Sequence, residues 1–401
     1  MKKKFVVVGA GLAGSFLSRE LAELGHEVHI IEKRSHIGGN LYEEIDKFSG
    51  CTTHKYGPHI FHTDDEWVWE YINKFSDFED YKLTTKVFFK DFNMYVDGPF
   101  NFRTIDTLYP KDEAVKLREK LIETYFKDRN FINQDPLHRS VSIIEMMNAK
   151  DPSIREFANV LWDNDYKLYS SKQWGIPADK VDKNILSRVQ FYLSYWDGIF
   201  KDKYIGMPSN GYNHIFKNML GHKNIVIHTD IQAKDIIKIK NKKMYYNNDP
   251  NYTVIWTGAI DELFDYKYGD LNYRTLEFEY SYAPHIPSKL GAPSSHILPS
   301  HHYDFTRITN YGRLPIQNEI ALDVLCYEYP KPFDKNSDDE RLYPVNAEED
   351  AVKYVKYDKL ASSVKNLYLC GRLAEYKYYD MDKVLLAARE VLRKIVNDNE
   401  G

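Results

Sequence analysis

Gly9-Ala10-Gly11-Leu12-Ala13-Gly14 follows a short apolar run, Phe5-Val6-Val7-Val8, and Glu32 stands 18 residues beyond the last glycine. That spacing carries a chemistry. The first glycine permits a tight turn, the second lets backbone approach a pyrophosphate, and the third lets a helix pack closely on a strand. The helix start at Leu12 and Ala13 offers free N–H groups to phosphate oxygens. Glu32 falls where a carboxylate accepts both ribose hydroxyls and disfavours a 2′-phosphate, hence NADP. Lys33, Arg34 and a second glycine pair, Gly38-Gly39, with Asn40, follow at once. Together these features point to FAD in preference to NAD. Near the C-terminus Gly371-Arg372 reads as another strand-to-helix junction. Asp380-Met381-Asp382 then starts a helix whose positive end could stabilise charge at N1 and O2 of a reduced flavin.

Positioning these groups requires a βαβ opening: strand Phe5–Val8, a helix over Phe16–Leu24, and a second strand His29–Glu32. Between about Asp112 and Trp162 the period becomes helical, with Ala114, Leu117, Leu121 and Tyr125 on one face. Ser142-Ile-Ile-Glu145 and Ser153-Ile-Arg-Glu156 have the form of capping boxes. Strands return at Ile225–Ile227, at a hairpin around Asn241-Lys242, and at Val254–Gly258. Residues from about Tyr273 to Tyr329 alternate polar and apolar, which predicts an antiparallel sheet. Asn366–Cys370 is the last strand. A final helix buries Val384, Leu385, Ala388, Val391, Leu392 and Ile395. The fold class is therefore α/β: a discontinuous Rossmann-like FAD-binding domain with a helical insertion domain and an antiparallel β-sheet domain. The expected division assigns 1–80, 203–262 and 341–401 to the FAD-binding domain. Residues 103–184 form a helical domain carrying a mobile loop, and 81–102, 185–202 and 263–340 a sheet domain for substrate.

The chain of 401 residues has room for such an arrangement, and its net charge of -5 argues against nucleic acid as a partner. Its 32 tyrosines, against 21 Phe and 6 Trp, supply faces and hydroxyls suited to bases, sugars and phosphates. Cys51, Cys326 and Cys370 are odd in number and lack CxxC spacing, which fits a reducing compartment and no metal site. A strand pattern directly after Lys4 is unlike a signal peptide, and no run has the apolar length of a membrane span. A cytoplasmic protein is the expectation.

Beyond the glycines, the sequence resembles the bacterial UDP-galactopyranose mutase family along nearly its whole length. The motifs that carry the resemblance are Tyr56-Gly-Pro-His-Ile-Phe-His-Thr63, Lys172-Gln-Trp-Gly175, Thr257-Gly-Ala-Ile-Asp261, Phe305-Thr-Arg-Ile308, Glu328-Tyr-Pro330, Tyr343-Pro344 and the stretch from Gly371 to Asp382. The resemblance implies a flavin-dependent isomerase that interconverts pyranose and furanose forms of a nucleotide sugar, UDP-galactopyranose foremost. In that family N5 of reduced FAD attacks the anomeric carbon, the nucleoside diphosphate leaves and later returns, and no net redox change results. An external reductant such as NAD(P)H or a reductase is then needed, and a homodimer is compatible.

The resemblance also implies roles for residues. Arg188, 14 residues beyond Trp174, and Arg307 would clamp the pyrophosphate, two guanidinium forks suiting a diphosphate better than lysines. Tyr343 and Tyr378 match phosphate-contacting tyrosines. Tyr169 would stack on the base, and Trp174 would anchor the closing loop. His59, Ile60 and His62 would lie at the flavin ring, where the histidines pack, contact N5 and tune redox state or move a proton.

Departures from the family cluster where nucleotide and loop should meet. Arg188 is followed by Val189, Gln190, Phe191 and Tyr192 in place of Pro-Val-Arg. Ile199-Phe200 stands for Tyr-Phe, Tyr204-Ile-Gly-Met-Pro208 for Tyr-Gln-Gly-x-Pro, and Ser170 for Thr. The same chemistry on UDP-N-acetylgalactosamine or a dTDP-6-deoxyhexose is therefore an alternative. A flavin-dependent amine oxidase is the rival that shares the glycine motifs but leaves the paired arginines without a task.

Overall fold

Phe5, Val6, Val7 and Val8 are all buried, yet they belong to two different cores: Phe5 and Val7 to one, Val6 and Val8 to the other. A strand covered on both faces reads as an unbroken apolar run because alternate side chains enter opposite layers. Lys4–Val8 is accordingly the centre of a parallel five-stranded sheet. The strand order is Ile225–His228, Glu27–Ile31, Lys4–Val8, Tyr252–Trp256, Leu367–Leu369. Segments more than 200 residues apart thus complete one Rossmann-like unit. The computed structural model describes residues 2–128, 135–175, 177, 190–285, 293–317, 320–345 and 347–400.

One face of this sheet is covered by the helices Leu12–Glu23, Tyr212–Leu220 and Met381–Glu400. The first helix begins four residues earlier than expected from the apolar pattern. Gly14 explains this: a Cβ there would lie 2.0 Å from the Gly9 carbonyl oxygen, so only glycine lets the first turn sit against the strand end. In the last helix Leu385, Ala388, Val391 and Ile395 are buried, with Val384 and Leu392 packed beside them. The other face carries the hairpin Ile237–Lys240/Lys243–Tyr246 and the helix Glu348–Ser362. The hairpin turns at Asn241 and Lys242 with φ of 48° and 56°, as a two-residue turn demands.

A seven-stranded sheet forms the second layer system, in the order Tyr343–Pro344, Tyr273–Pro284, Leu322–Pro332, Arg307–Asn310, Ser295–Ile297, Thr85–Phe89, Met94–Gly98. It is antiparallel except where Ser295–Ile297 runs parallel to Thr85–Phe89. That pair joins strands some 200 residues apart, so no hairpin fixes their direction. Val87, Phe89 and Val96 of this sheet share a core with Leu117, Leu121, Phe157 and Leu161 of the helical insertion. Ala114, Leu117, Leu121 and Tyr125 are buried together on the helix Lys111–Asp128. Ser142 caps the next helix by accepting from the Glu145 amide. At the following helix, Pro152–Leu161, the cap is Asp151 and not the expected Ser153, because Pro152 takes the first helical position and Asp151 accepts from the Ser153 and Ile154 amides.

Among the described residues, no helix is long and apolar enough to cross a membrane.

Candidate active site

The first cleft lies at the C-terminal ends of the parallel strands, where open α/β sheets place their ligands. Gly9, Gly11, Leu12, Ala13, Glu32, Lys33, Gly39, Asn40, His59, Gly371, Arg372 and Met381 all line it. Gly9 has φ of +99°, and a Cβ on it would meet Thr257 Oγ1 at 2.3 Å. Gly39, with φ of +57°, brings its Cα side against Gly11, where a Cβ would come within 2.8 Å of the Gly11 Cα. The two glycine motifs therefore close on each other, leaving only backbone at that wall. Gly11 begins the helix Leu12–Glu23 with no side-chain cap, so its first amides are served by nothing within the helix and stand at the cleft.

Glu32 is buried at the end of its strand, where it accepts from the Ala10 amide (2.8 Å) through one oxygen and from the Arg34 amide (2.9 Å) through the other. The carboxylate is thereby aimed before any ligand arrives. Lys33 and Arg34 both pair with Glu340, at 2.8 Å each. Arg34 also donates to Asn40 Oδ1 and lies 4.2 Å from the Tyr56 ring centre. Burial works against ionisation of Glu340, but the two cations prevail and hold its carboxyl down at about 2. Asp380 precedes the final helix, its carbonyl accepting from the Val384 amide, and Met381 and Val384 bring that helix start to the cleft wall.

His59 reaches the same cleft. Its Nδ1 pairs with the Gly57 carbonyl at 2.8 Å, and because a carbonyl only accepts, the proton sits on Nδ1. Burial, with Arg372 and Arg307 adding to it, pushes His59 down to about 4, so the ring is neutral at neutral pH. Ile60 is buried in a separate apolar cluster and does not line the cleft. His62 lies outside the linings of both clefts described here. It stacks on Phe200, ring centres 3.8 Å apart, and pairs with Asp202 at 3.1 Å.

A second cavity opens beside the first and gathers Tyr169, Arg307, Tyr343 and Tyr378. Arg307 is gripped by Glu328 through Nε (2.8 Å) and Nη2 (2.7 Å). Glu328, nearly fully buried, also accepts from Thr309 Oγ1 at 3.0 Å. Nη1 of Arg307 has no hydrogen-bond partner among the described residues. Tyr343 and Tyr378 stack with ring centres 5.9 Å apart. Arg372 lies over both rings, at 5.6 and 5.2 Å, while lining the dinucleotide cleft. It is the physical link between the two spaces. Burial pushes the Tyr169 phenol up to about 12 despite Arg307 nearby, so it is neutral.

Lys172, from the Lys-Gln-Trp-Gly motif, does not line the cavity. Its Nζ donates to the carbonyls of Leu298, Ser300 and Phe305, which binds its helix to the segment running into Arg307. Trp174 ends the helix Lys167–Trp174. Arg188 lies outside the described residues. Ser170, Gln190, Tyr192 and Ile199, four of the departures noted above, line the cavity. Sequence reasoning assigned no task to Arg34, Asp165 or Glu328. Glu328 stands directly opposite Arg307 in the sheet register, a relationship no linear spacing reveals. An aspartate at position 165 between helical aromatic residues was the available signal for Asp165.

A dinucleotide cleft joined through Arg372 to a cavity holding a second, oriented arginine defines a dinucleotide-binding protein built on a Rossmann-like domain. A family model described as UDP-galactopyranose mutase matches residues 165–378, and one for an NAD(P)-binding Rossmann-like domain matches residues 7–75. The UDP-galactopyranose mutase of Mycoplasma genitalium is 32% identical, over 98% of this chain and 94% of that one. The dTDP-fucopyranose mutase of Escherichia coli is 31% identical, over 99% of each. A crystal structure of reduced UDP-galactopyranose mutase superposes with a TM-score of 0.66 at 15% identity, over 99% of this chain and 96% of that one. The chain belongs to the UDP-galactopyranose mutase family.

Proposed function

We propose that the protein interconverts the pyranose and furanose forms of a uridine or thymidine diphosphate sugar, with UDP-galactopyranose first among substrates, using reduced FAD. The single observation that carries this reading is Arg372, shared between the dinucleotide cleft and the Tyr343–Tyr378 pair of the second cavity. Names of relatives that act on UDP-galactopyranose and dTDP-fucopyranose support it.

The first cleft fits FAD on its own features: a backbone-only wall at Gly11 and Gly39, uncapped helix amides at Leu12 and Ala13, and a pre-aimed buried acid at Glu32. When bound and reduced, the flavin supplies a nucleophilic ring nitrogen for the anomeric carbon. The protein's task is then to hold the departing diphosphate. Arg307, fixed by Glu328, offers a guanidinium edge to it, Tyr343 and Tyr378 offer hydroxyls, and Arg188 completes the clamp. Tyr169 stacks on the base, and Trp174 anchors the closing segment. His59, neutral, packs and orients at the flavin and does not donate a proton; His62, stacked on Phe200 and paired with Asp202, stands outside both clefts. The division into a FAD domain (1–80, 203–262, 341–401), a helical domain (103–184) and a sheet domain is part of this reading. So are a cytoplasmic setting, an external reductant and a homodimer.

The test is a panel of UDP- and dTDP-sugars incubated with dithionite-reduced protein, ring forms being separated by chromatography. Conversion of at least one sugar with the flavin's redox state unchanged is expected. Turnover that instead consumes oxygen without added reductant would point to an oxidase and overturn the proposal.

A further inference from the structure

Asp165 belongs neither to the diphosphate clamp nor to the flavin cleft. It sits in a π-helical turn, Trp162–Tyr166, between the helices Pro152–Leu161 and Lys167–Trp174. Such turns insert an extra residue into a helix and concentrate at functional sites. The side chain lines the second cavity yet is only 8% exposed. Its Oδ1 is fully buried and has no hydrogen-bond partner among the described residues. A buried polar atom left unpaired is strongly disfavoured unless a ligand supplies the missing bond.

Position narrows that ligand. Asp165 and Tyr169 are four residues apart and share one side of the chain, and the carboxyl acts electrostatically on both the Tyr166 and Tyr169 phenols. The phosphate-seeking tyrosines Tyr343 and Tyr378 gather instead against Arg372, which lines the dinucleotide cleft, and Arg307 shares their cavity. Burial alone acts on Asp165, with no cation near enough to matter, and pushes it up to about 7. The titratable groups around it are the phenols of Tyr166, Tyr169 and Tyr192, with the Arg307–Glu328 pair elsewhere in the same cavity. A neutral carboxyl can donate and accept at once. A pyrimidine imide presents the matching pair, N3–H and a carbonyl, so the two close a ring of two hydrogen bonds.

We infer that Asp165 reads the imide edge of a uracil or thymine ring stacked on Tyr169, accepting from N3–H and donating to O4. This rests on the nucleotide-sugar reading and deepens it, by naming the residue that selects the base.

The experiment compares binding of UDP and N3-methyl-UDP to the FAD-loaded protein by calorimetry, with dTDP alongside. Wild type should bind UDP and dTDP at least about tenfold tighter than the methylated ligand. Asp165→Asn, whose amide keeps one donor and one acceptor, should retain most of that discrimination. Asp165→Leu should bind UDP and N3-methyl-UDP alike. Equal binding by wild type overturns the assignment, as does discrimination that survives in Asp165→Leu. If Asp165→Leu loses FAD or melts early, wild type and Asp165→Asn decide: loss of discrimination in Asp165→Asn then counts against it. Failure of wild type to bind any of these diphosphates would overturn the nucleotide-sugar reading itself, so the two failures are distinguishable.

Discussion

Arg307 and Glu328 face each other on neighbouring antiparallel strands and join by two hydrogen bonds of 2.8 and 2.7 Å. The pair is fork to carboxylate, and Thr309 takes up a further lone pair of Glu328. A guanidinium held on two nitrogens has lost its rotational freedom before substrate arrives, so it can stabilise a leaving diphosphate without paying reorganisation at that moment. Arg307→Lys keeps the charge and loses the fork. We expect kcat/KM to fall by about 100-fold, roughly 3 kcal/mol, with FAD retained. Arg307→Ala would also strand the buried Glu328 and cost stability, so a fall in activity there is read only beside a melting curve. Unchanged kcat/KM in Arg307→Lys would remove the residue from the site.

Glu32 holds its cleft through two backbone amides. Glu32→Gln can accept one of these bonds well but turns a donor towards the other amide. FAD affinity should drop about tenfold to 100-fold, roughly 1–3 kcal/mol. Flavin fluorescence on dilution reads the released fraction, and equal retention by wild type and variant would contradict a cofactor role.

Gly39 makes a steric prediction. An alanine there would need its Cβ 2.8 Å from the Gly11 backbone and would hold a left-handed φ. Gly39→Ala should purify with little FAD, whereas Gly25→Ala, where the added Cβ meets nothing within 4 Å, should load normally despite its own positive φ. Visible absorbance per mole of protein makes the comparison.

Lys172 ties three carbonyls of the segment before Arg307 to its own helix. Lys172→Met should leave those carbonyls unpaired and loosen the approach of Arg307, lowering kcat by about tenfold, with a stability loss of roughly 1–3 kcal/mol. Lys172→Arg should restore part of both. A Met variant with wild-type kcat would show that Arg307 needs no such tether.

Glu340 gives a pH signature. Its folded-state carboxyl is held at about 2, below the ordinary 4.5, by Arg34 and Lys33 against the opposing effect of burial. A depressed acid contributes stability that is complete above the unfolded value and disappears as pH falls through the folded one. The urea midpoint of Glu340→Gln should therefore sit below wild type at pH 7, and the gap should narrow as pH drops below about 4.5 towards 2. A gap independent of pH would mean the charge pair is not its source.

Much was legible in the linear chain because its physics is local. The glycine spacing before Leu12, the acid at Glu32 and the apolar stripe of the last helix each depend on a few neighbouring residues, and the structure brings the glycines, Glu32 and the start of that helix to one cleft. The cap at Asp151 was missed although it too is local, since the proline at position 152 outranked the Ser-x-x-Glu pattern.

What the sequence determined by itself is therefore the dinucleotide cleft, the alternation of helical and extended segments, and the family. Only the tertiary structure decided that Glu328 orients Arg307, that Arg372 connects the cleft to the tyrosine-lined cavity, and that Asp165 is buried there with an unpaired oxygen. The reason is distance along the chain. Each of these relationships depends on how strands and helices far apart in sequence come to rest together, and register, burial and the loss of a water partner exist only once the layers have packed.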